Sequence, residues 1–209
     1  MNLSNYHSRA LGKIAFVGSY LPRKCGIATF TADLVHAVAK EAPKTNCFCV
    51  ALNDQPEGYR YPEQVRFELM QNELSQYHQA ADFLNISNPH VVCVQHEYGI
   101  YGGVEGSHIL SLIRGLRMPV ITTLHTILKE PNENQLQVMK ELVRASDYVV
   151  SMSERGVDFL RDIYGAPDEK LKFIHHGIPD VPFVEPNYYK DEFDVVGREV
   201  ILTFGLLSP

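Results

Sequence analysis

The chain has 209 residues, 45% of them hydrophobic, with a formal net charge of −6. That length can bury a substantial core, either as one large α/β domain or as one domain with an incomplete second piece. The negative balance, without any lysine-rich run, argues against a nucleic-acid backbone or an anionic membrane as the main partner, and no apolar run approaches the roughly 20 residues of a transmembrane helix.

The first twelve residues, MNLSNYHSRALG, contain no apolar core of signal-peptide length. A cytoplasmic protein is expected, with residues 1–12 extended or disordered. Next comes an apolar run, Ile14 to Val17, that suits a buried parallel strand. The turn YLPRKCGIA follows, and then a helix whose Ile27, Phe30, Leu34 and Val38 share one face. A helix starting just beyond a strand's carboxyl end presents unpaired N–H groups and the positive end of its dipole. Gly26 would let a phosphate approach those groups without meeting a side chain. Arg23 and Lys24 gain nothing from the dipole, so both are predicted to help bind the anion. Gly26 fits neither G-x-G-x-x-G nor the Walker pattern, and a tight turn with a glycine cap also explains this segment alone.

Further strands are predicted at 47–52, 91–95, 120–124, 148–151 and 172–174, with a short one at 65–69. Helices are predicted at 75–85, 104–117, 133–145 and 154–164. The alternation predicts an α/β fold: a Rossmann-like, doubly wound, mostly parallel sheet with helices on both faces, spanning 13–180. Cys25, Cys47, Cys49 and Cys93 form no C-x-x-C pair, so neither a zinc site nor a redox motif is expected. Prolines punctuate a polar stretch at 181–198, read as an interdomain linker. The apolar residues of 199–209 read as the first strand of a second, truncated domain, because an isolated apolar strand needs pairing or cover.

Ligands of such a sheet bind at the carboxyl ends of the strands. The strand at 91–95 runs into HEYGIYGG, where position 100 is Ile, so the zinc motif H-E-x-x-H is absent. Gly99, Gly102 and Gly103 read either as a loop close to a ligand or to a neighbouring loop, with His96 and Glu97 at its rim, or as a plain glycine-rich strand-to-helix connection. His125 ends the next strand in TTLHT, where an imidazole can bond a sugar hydroxyl or a developing oxyanion. His176 and Gly177 close the last strand, and Gly177 allows a turn with positive φ. Ser153 reads mainly as a helix cap that also faces the cleft. No glycosidase-type carboxylate pair is identifiable.

Together these segments resemble the amino-terminal domain of family 4 glycosyltransferases, retaining enzymes of the two-domain GT-B type. The resemblance is carried by FVGSYLPRKCGIATFTADL, VQHEYGIYGG, TTLHT, MSERGVDFL and HHGIPDVPF, in that order. ILTFGLLSP then looks like the first strand and turn of a donor-binding domain. The resemblance implies transfer of a hexosyl group from a nucleotide-sugar donor to a carbohydrate or small-molecule acceptor, without a metal or other cofactor. It also implies that Gly26 lies beside the donor diphosphate or transferred sugar, His125 at the reaction centre, and His96 and Glu97 on the acceptor side. His176-Gly177 stands where many members have asparagine-glycine. The family's lysine-bearing loop and glutamate pair would fall beyond Pro209, so these residues are expected to be a fragment that is inactive alone. The alternative is a non-catalytic sugar- or nucleotide-binding module.

Overall fold

The computed structural model describes residues 11–178 and 181–203. Seven strands, β1 (Lys13–Gly18), β2 (Asn46–Asn53), β3 (Val65–Met70), β4 (Val91–His96), β5 (Val120–Leu124), β6 (Tyr148–Ser151) and β7 (Leu171–Phe173), pair in parallel in the order β3-β2-β1-β4-β5-β6-β7. Five helices connect them: α1 (Gly26–Glu41), α2 (Leu74–Ser87), α3 (His108–Gly115), α4 (Glu133–Ala145) and α5 (Glu154–Asp162). This is the Rossmann-like parallel sheet that the alternating pattern predicts.

Alternation along the strands builds two apolar cores. Ala15, Val17, Phe48, Val50 and Leu52 face one core, where α2 contributes Tyr77, Ala80 and Leu84, α3 Ile109 and Leu112, α4 Met139 and Leu142, and α5 Leu160. Ile14, Phe16, Cys49 and Ala51 face the other, closed by Ala32 and Val35 of α1. Helices therefore cover both faces, and buried strands that meet apolar neighbours on each side need the near-continuous apolar runs seen in β1 and β2.

Helix α1 is rotated from its predicted orientation. Its buried residues are Ala28, Thr31, Ala32 and Val35, so the expected stripe of Ile27, Phe30, Leu34 and Val38 flanks the contact instead. Small side chains allow the close approach: a Cβ at Gly18 would sit 3.3 Å from Thr31 Oγ1. Phe30 is thereby turned away from the core centre.

The helix predicted from residue 104 starts later. Gly103, Glu105 and Gly106 have φ of 81°, 50° and 76°, which no α-helix accommodates, so a 3₁₀ turn at Val104–Gly106 precedes α3. The chain divides after His176 into two units. In the second, the stretch read as a linker contains α6 (Pro186–Glu192), with Tyr188 and Tyr189 exposed. Of the predicted opening strand, residues 199–203 are exposed and carry no strand, and 204–209 lie outside the described residues, as do 1–10. Among the described residues no helix is long and apolar enough to cross a membrane.

Candidate functional site

The strand order reverses between β1 and β4, which opens a crevice at their carboxyl ends. On one side stands the amino terminus of α1. Its N-cap, Cys25, makes no side-chain capping bond, its first turn holds no acidic residue, and the amides of Gly26 and Ile27 have no partner among the described residues. By contrast α4 begins with a reciprocal capping box of Asn132 and Gln135, and Ser153 accepts a bond from the Gly156 amide at 3.0 Å to start α5. A Cβ built at Gly26 would meet nothing within 4 Å, and its φ is not left-handed. Neither packing nor backbone geometry therefore requires glycine there.

On the other side stands His125, immediately after β5, held by its amide donating to the His96 carbonyl at 2.9 Å. Its Nε2 lies 3.0 Å from Oε1 of Gln95. The ring meets Phe30 edge-on, with centroids 4.7 Å apart, and Phe30 meets His176 likewise at 5.1 Å. Phe30 is one helical turn beyond Gly26 and so lies on the same side of α1. Gly26 and His125 thus border one crevice, bridged by the Phe30 ring. Burial, reinforced by the nearby His176, lowers the His125 pKa to about 4, so the imidazole is neutral at pH 7.

Residues 25–180 match the family model Glycosyltransferase Family 4. The chain belongs to Glycosyltransferase Family 4. A comparison with curated proteins finds no significant match. Among solved structures, a glycosyltransferase from Rickettsia africae ESF-5 aligns with TM-score 0.58 and 13% identity, over 88% of this chain and 50% of its own. The apo form of the lipopolysaccharide outer core galactosyltransferase WaaB aligns with TM-score 0.56 and 13% identity, over 87% and 56%. An alpha-glucosyltransferase in complex with UDP and a 13-mer DNA aligns with TM-score 0.53 and 13% identity, over 79% and 42%. The chain thus spans about half the length of these structures, and its fold is that of the amino-terminal, Rossmann-like lobe of a GT-B glycosyltransferase.

Within this Family 4 lobe, several residues singled out in the sequence have other occupations. Arg23 is only 8% exposed; its Nε lies 3.2 Å from the Asp54 carboxylate and its Nη1 donates to the Leu52 carbonyl. It ties the β1–α1 loop to the end of β2, so its charge is already matched. Lys24 is exposed and makes no ion pair among the described residues. His96, expected at a rim, is fully buried instead. It stacks on Tyr101, meets Tyr98 edge-on, and leaves both ring nitrogens without hydrogen-bond partners among the described residues. Burial, with His125 nearby, lowers its pKa to about 3. Glu97 does remain at the crevice: it accepts from the Tyr98 amide at 2.9 Å and from the Thr126 hydroxyl, joining the β4 and β5 loops.

Gly102 and Gly103 are glycines for packing reasons. A Cβ at Gly102 would lie 2.1 Å from the Gln71 carbonyl oxygen, and one at Gly103 would lie 2.6 Å from the His108 ring. Gly177 belongs to the second unit, and its φ is not positive, contrary to the expected turn. Gln95, Phe30 and Thr126 were not apparent as site residues from sequence. Gln95 carried a signal, being a polar residue at the end of an apolar strand. Phe30 carried none, because a phenylalanine on an amphipathic helix reads as core. Among the described residues no group of three His, Cys, Asp or Glu side chains is placed to hold a metal ion.

Proposed function

We propose that this chain is the acceptor-side lobe of a retaining glycosyltransferase that moves a hexosyl group from a nucleotide-sugar donor to a carbohydrate or small-molecule acceptor, without a resident metal ion. The observation that carries this is the pairing, across one crevice, of the uncapped α1 terminus at Gly26 with the neutral His125 ring. As the anomeric bond breaks, negative charge grows on the leaving diphosphate and positive charge on the sugar. The free amides of Gly26 and Ile27, with Lys24 beside them, take the diphosphate. His125 bonds a hydroxyl of the transferred sugar, and its neutrality matters because an imidazolium would oppose the charge developing on the ring. Arg23 acts at one remove by holding the loop through Asp54 and Leu52. Glu97 with Thr126 lines the acceptor side, where His176 beside Phe30 forms a wall. Donor affinity and turnover require a second lobe, in keeping with the half-length coverage of the matched glycosyltransferases.

The test compares donor turnover by this chain with that of the longer, two-lobed protein, and of that protein carrying His125→Ala. The expected result is turnover only by the longer protein, reduced about 10²–10³-fold by the substitution, the loss typical of one missing transition-state hydrogen bond. Robust turnover by the short chain, or an unaffected variant, overturns the proposal. Binding of a nucleotide sugar with no transfer by any form identifies a non-catalytic binding module instead.

A further inference from the structure

Gln95 is fully buried near the end of β4, opposite Thr123 of β5. The fold makes room for it: a Cβ at Gly18 on β1 would lie 3.0 Å from Gln95 Cβ and 3.4 Å from its Cγ. Its backbone carbonyl accepts from the Tyr101 hydroxyl at 2.7 Å, which fixes the strand end from the other direction. The side chain makes one hydrogen bond, with Oε1 accepting from His125 Nε2, while the amide Nε2 is buried without a partner among the described residues. An amide kept for packing alone would carry the penalty of that unpaired donor with no return, and an apolar residue would fill the space better. The bond to His125 is the interaction that distinguishes glutamine here.

We propose that Gln95 is a positioning residue that fixes His125 as the Nε2–H tautomer and so presents Nδ1 as the ring's hydrogen-bond acceptor. With the amide oxygen turned to the ring, the facing Nε2 carries the proton, because a carbonyl oxygen can only accept, and the second nitrogen of the neutral ring keeps its lone pair. An amide achieves this without adding charge, whereas a carboxylate in the same place would favour the imidazolium. The titratable neighbours of His125 are His176 after β7, which with burial disfavours its protonated form, and His96 from β4, whose own pKa is lowered by burial and by His125; α1 contributes the uncharged Phe30. The tautomer is thus set by one neutral group in surroundings that hold the ring neutral. That Nδ1 then accepts from a donor-sugar hydroxyl rests on the function proposed above; the tautomer itself does not.

The experiment records long-range ¹H–¹⁵N spectra of the histidine rings in this chain and in Gln95→Met and Gln95→Glu. His125 is expected as the Nε2–H tautomer in the parent and as a tautomer mixture in Gln95→Met. In Gln95→Glu its pKa is expected to rise by about one pH unit or more. An Nδ1–H ring in the parent overturns the proposal, as does a ring whose tautomer and titration are unchanged in both variants. If Gln95→Met does not fold, the parent spectrum and the Gln95→Glu titration still decide. In the two-lobed protein, Gln95→Met is expected to lower kcat about 10-fold or more with little change in donor KM. A fixed tautomer with unaltered turnover overturns the sugar contact at Nδ1 and leaves the positioning intact.

Discussion

Two groups of glycines border the crevice for opposite reasons. In the loop after β4, Gly102, Gly103 and Gly106 are required by the fold, through collisions a Cβ would make and through left-handed φ. At the start of α1, Gly26 is required by nothing in the fold: its φ is ordinary and the space above it is empty. Gly99 shares that freedom. A glycine that the protein's own packing explains says nothing about ligands, whereas one it does not explain leaves room for a ligand to come close to the backbone. The sequence shows only glycines near a helix start, and the distinction needs coordinates.

The comparison breaks most visibly if Gly102 tolerates a side chain. A Cβ there would lie 2.1 Å from the Gln71 carbonyl oxygen and 2.9 Å from Asn72 Cα, both backbone atoms that can yield only if the loop moves. Gly102→Ala is expected to lose about 3 kcal/mol or more, or to prevent folding. Urea unfolding measures this. A loss below about 0.5 kcal/mol, the range of an ordinary surface change, would place Gly102 with Gly26 after all.

A middle-sized effect concerns the two buried histidines beneath these loops. Both have folded-state pKa values below the ordinary 6.5, about 3 for His96 and about 4 for His125. The unfolded chain therefore binds more protons than the folded one as pH falls below 6.5, so stability is full above that value. It drains away as the pH falls towards the folded-state values. Urea midpoints at pH 7 and pH 5 should show the decline. His96→Phe keeps a ring between Tyr98 and Tyr101 and removes two unpartnered nitrogens. Its stability at pH 7 should match or exceed the parent's by up to about 1 kcal/mol, with a shallower acid decline. A destabilised variant with an unchanged acid slope would show that the His96 nitrogens have partners in solution, such as a buried water.

What was legible in the sequence follows from range. The parallel sheet came through because each strand is a local apolar run and each helix a local period, both read from near neighbours along the chain. The rotation of α1 was not legible, because it depends on Gly18 lying opposite Thr31, a contact between elements. The same limit applied to the site. His125 and Gly26 could be singled out from position alone, whereas the occupation of Arg23 by Asp54 and the burial of His96 are set by loops distant in sequence. Two cations beside a helix terminus looked like an anion site, and one of them is an anchor.

The smallest change in stability is expected where the comparison is most informative. Gly26 is the first residue of α1, and alanine there loses less backbone entropy on folding than glycine while meeting no atom within 4 Å. Gly26→Ala should therefore leave the urea midpoint unchanged or raise stability by up to about 1 kcal/mol. If the function proposed above is right, the same methyl group would crowd the free amides of Gly26 and Ile27 in a two-lobed enzyme, so donor KM should rise while the fold is untouched. Gain in stability joined to loss of donor binding is a pattern that a purely structural glycine cannot give, since its replacement harms the fold first. If instead Gly26→Ala were destabilising, the open space at α1 would be filled in solution by the protein itself. The contrast with Gly102 would then disappear.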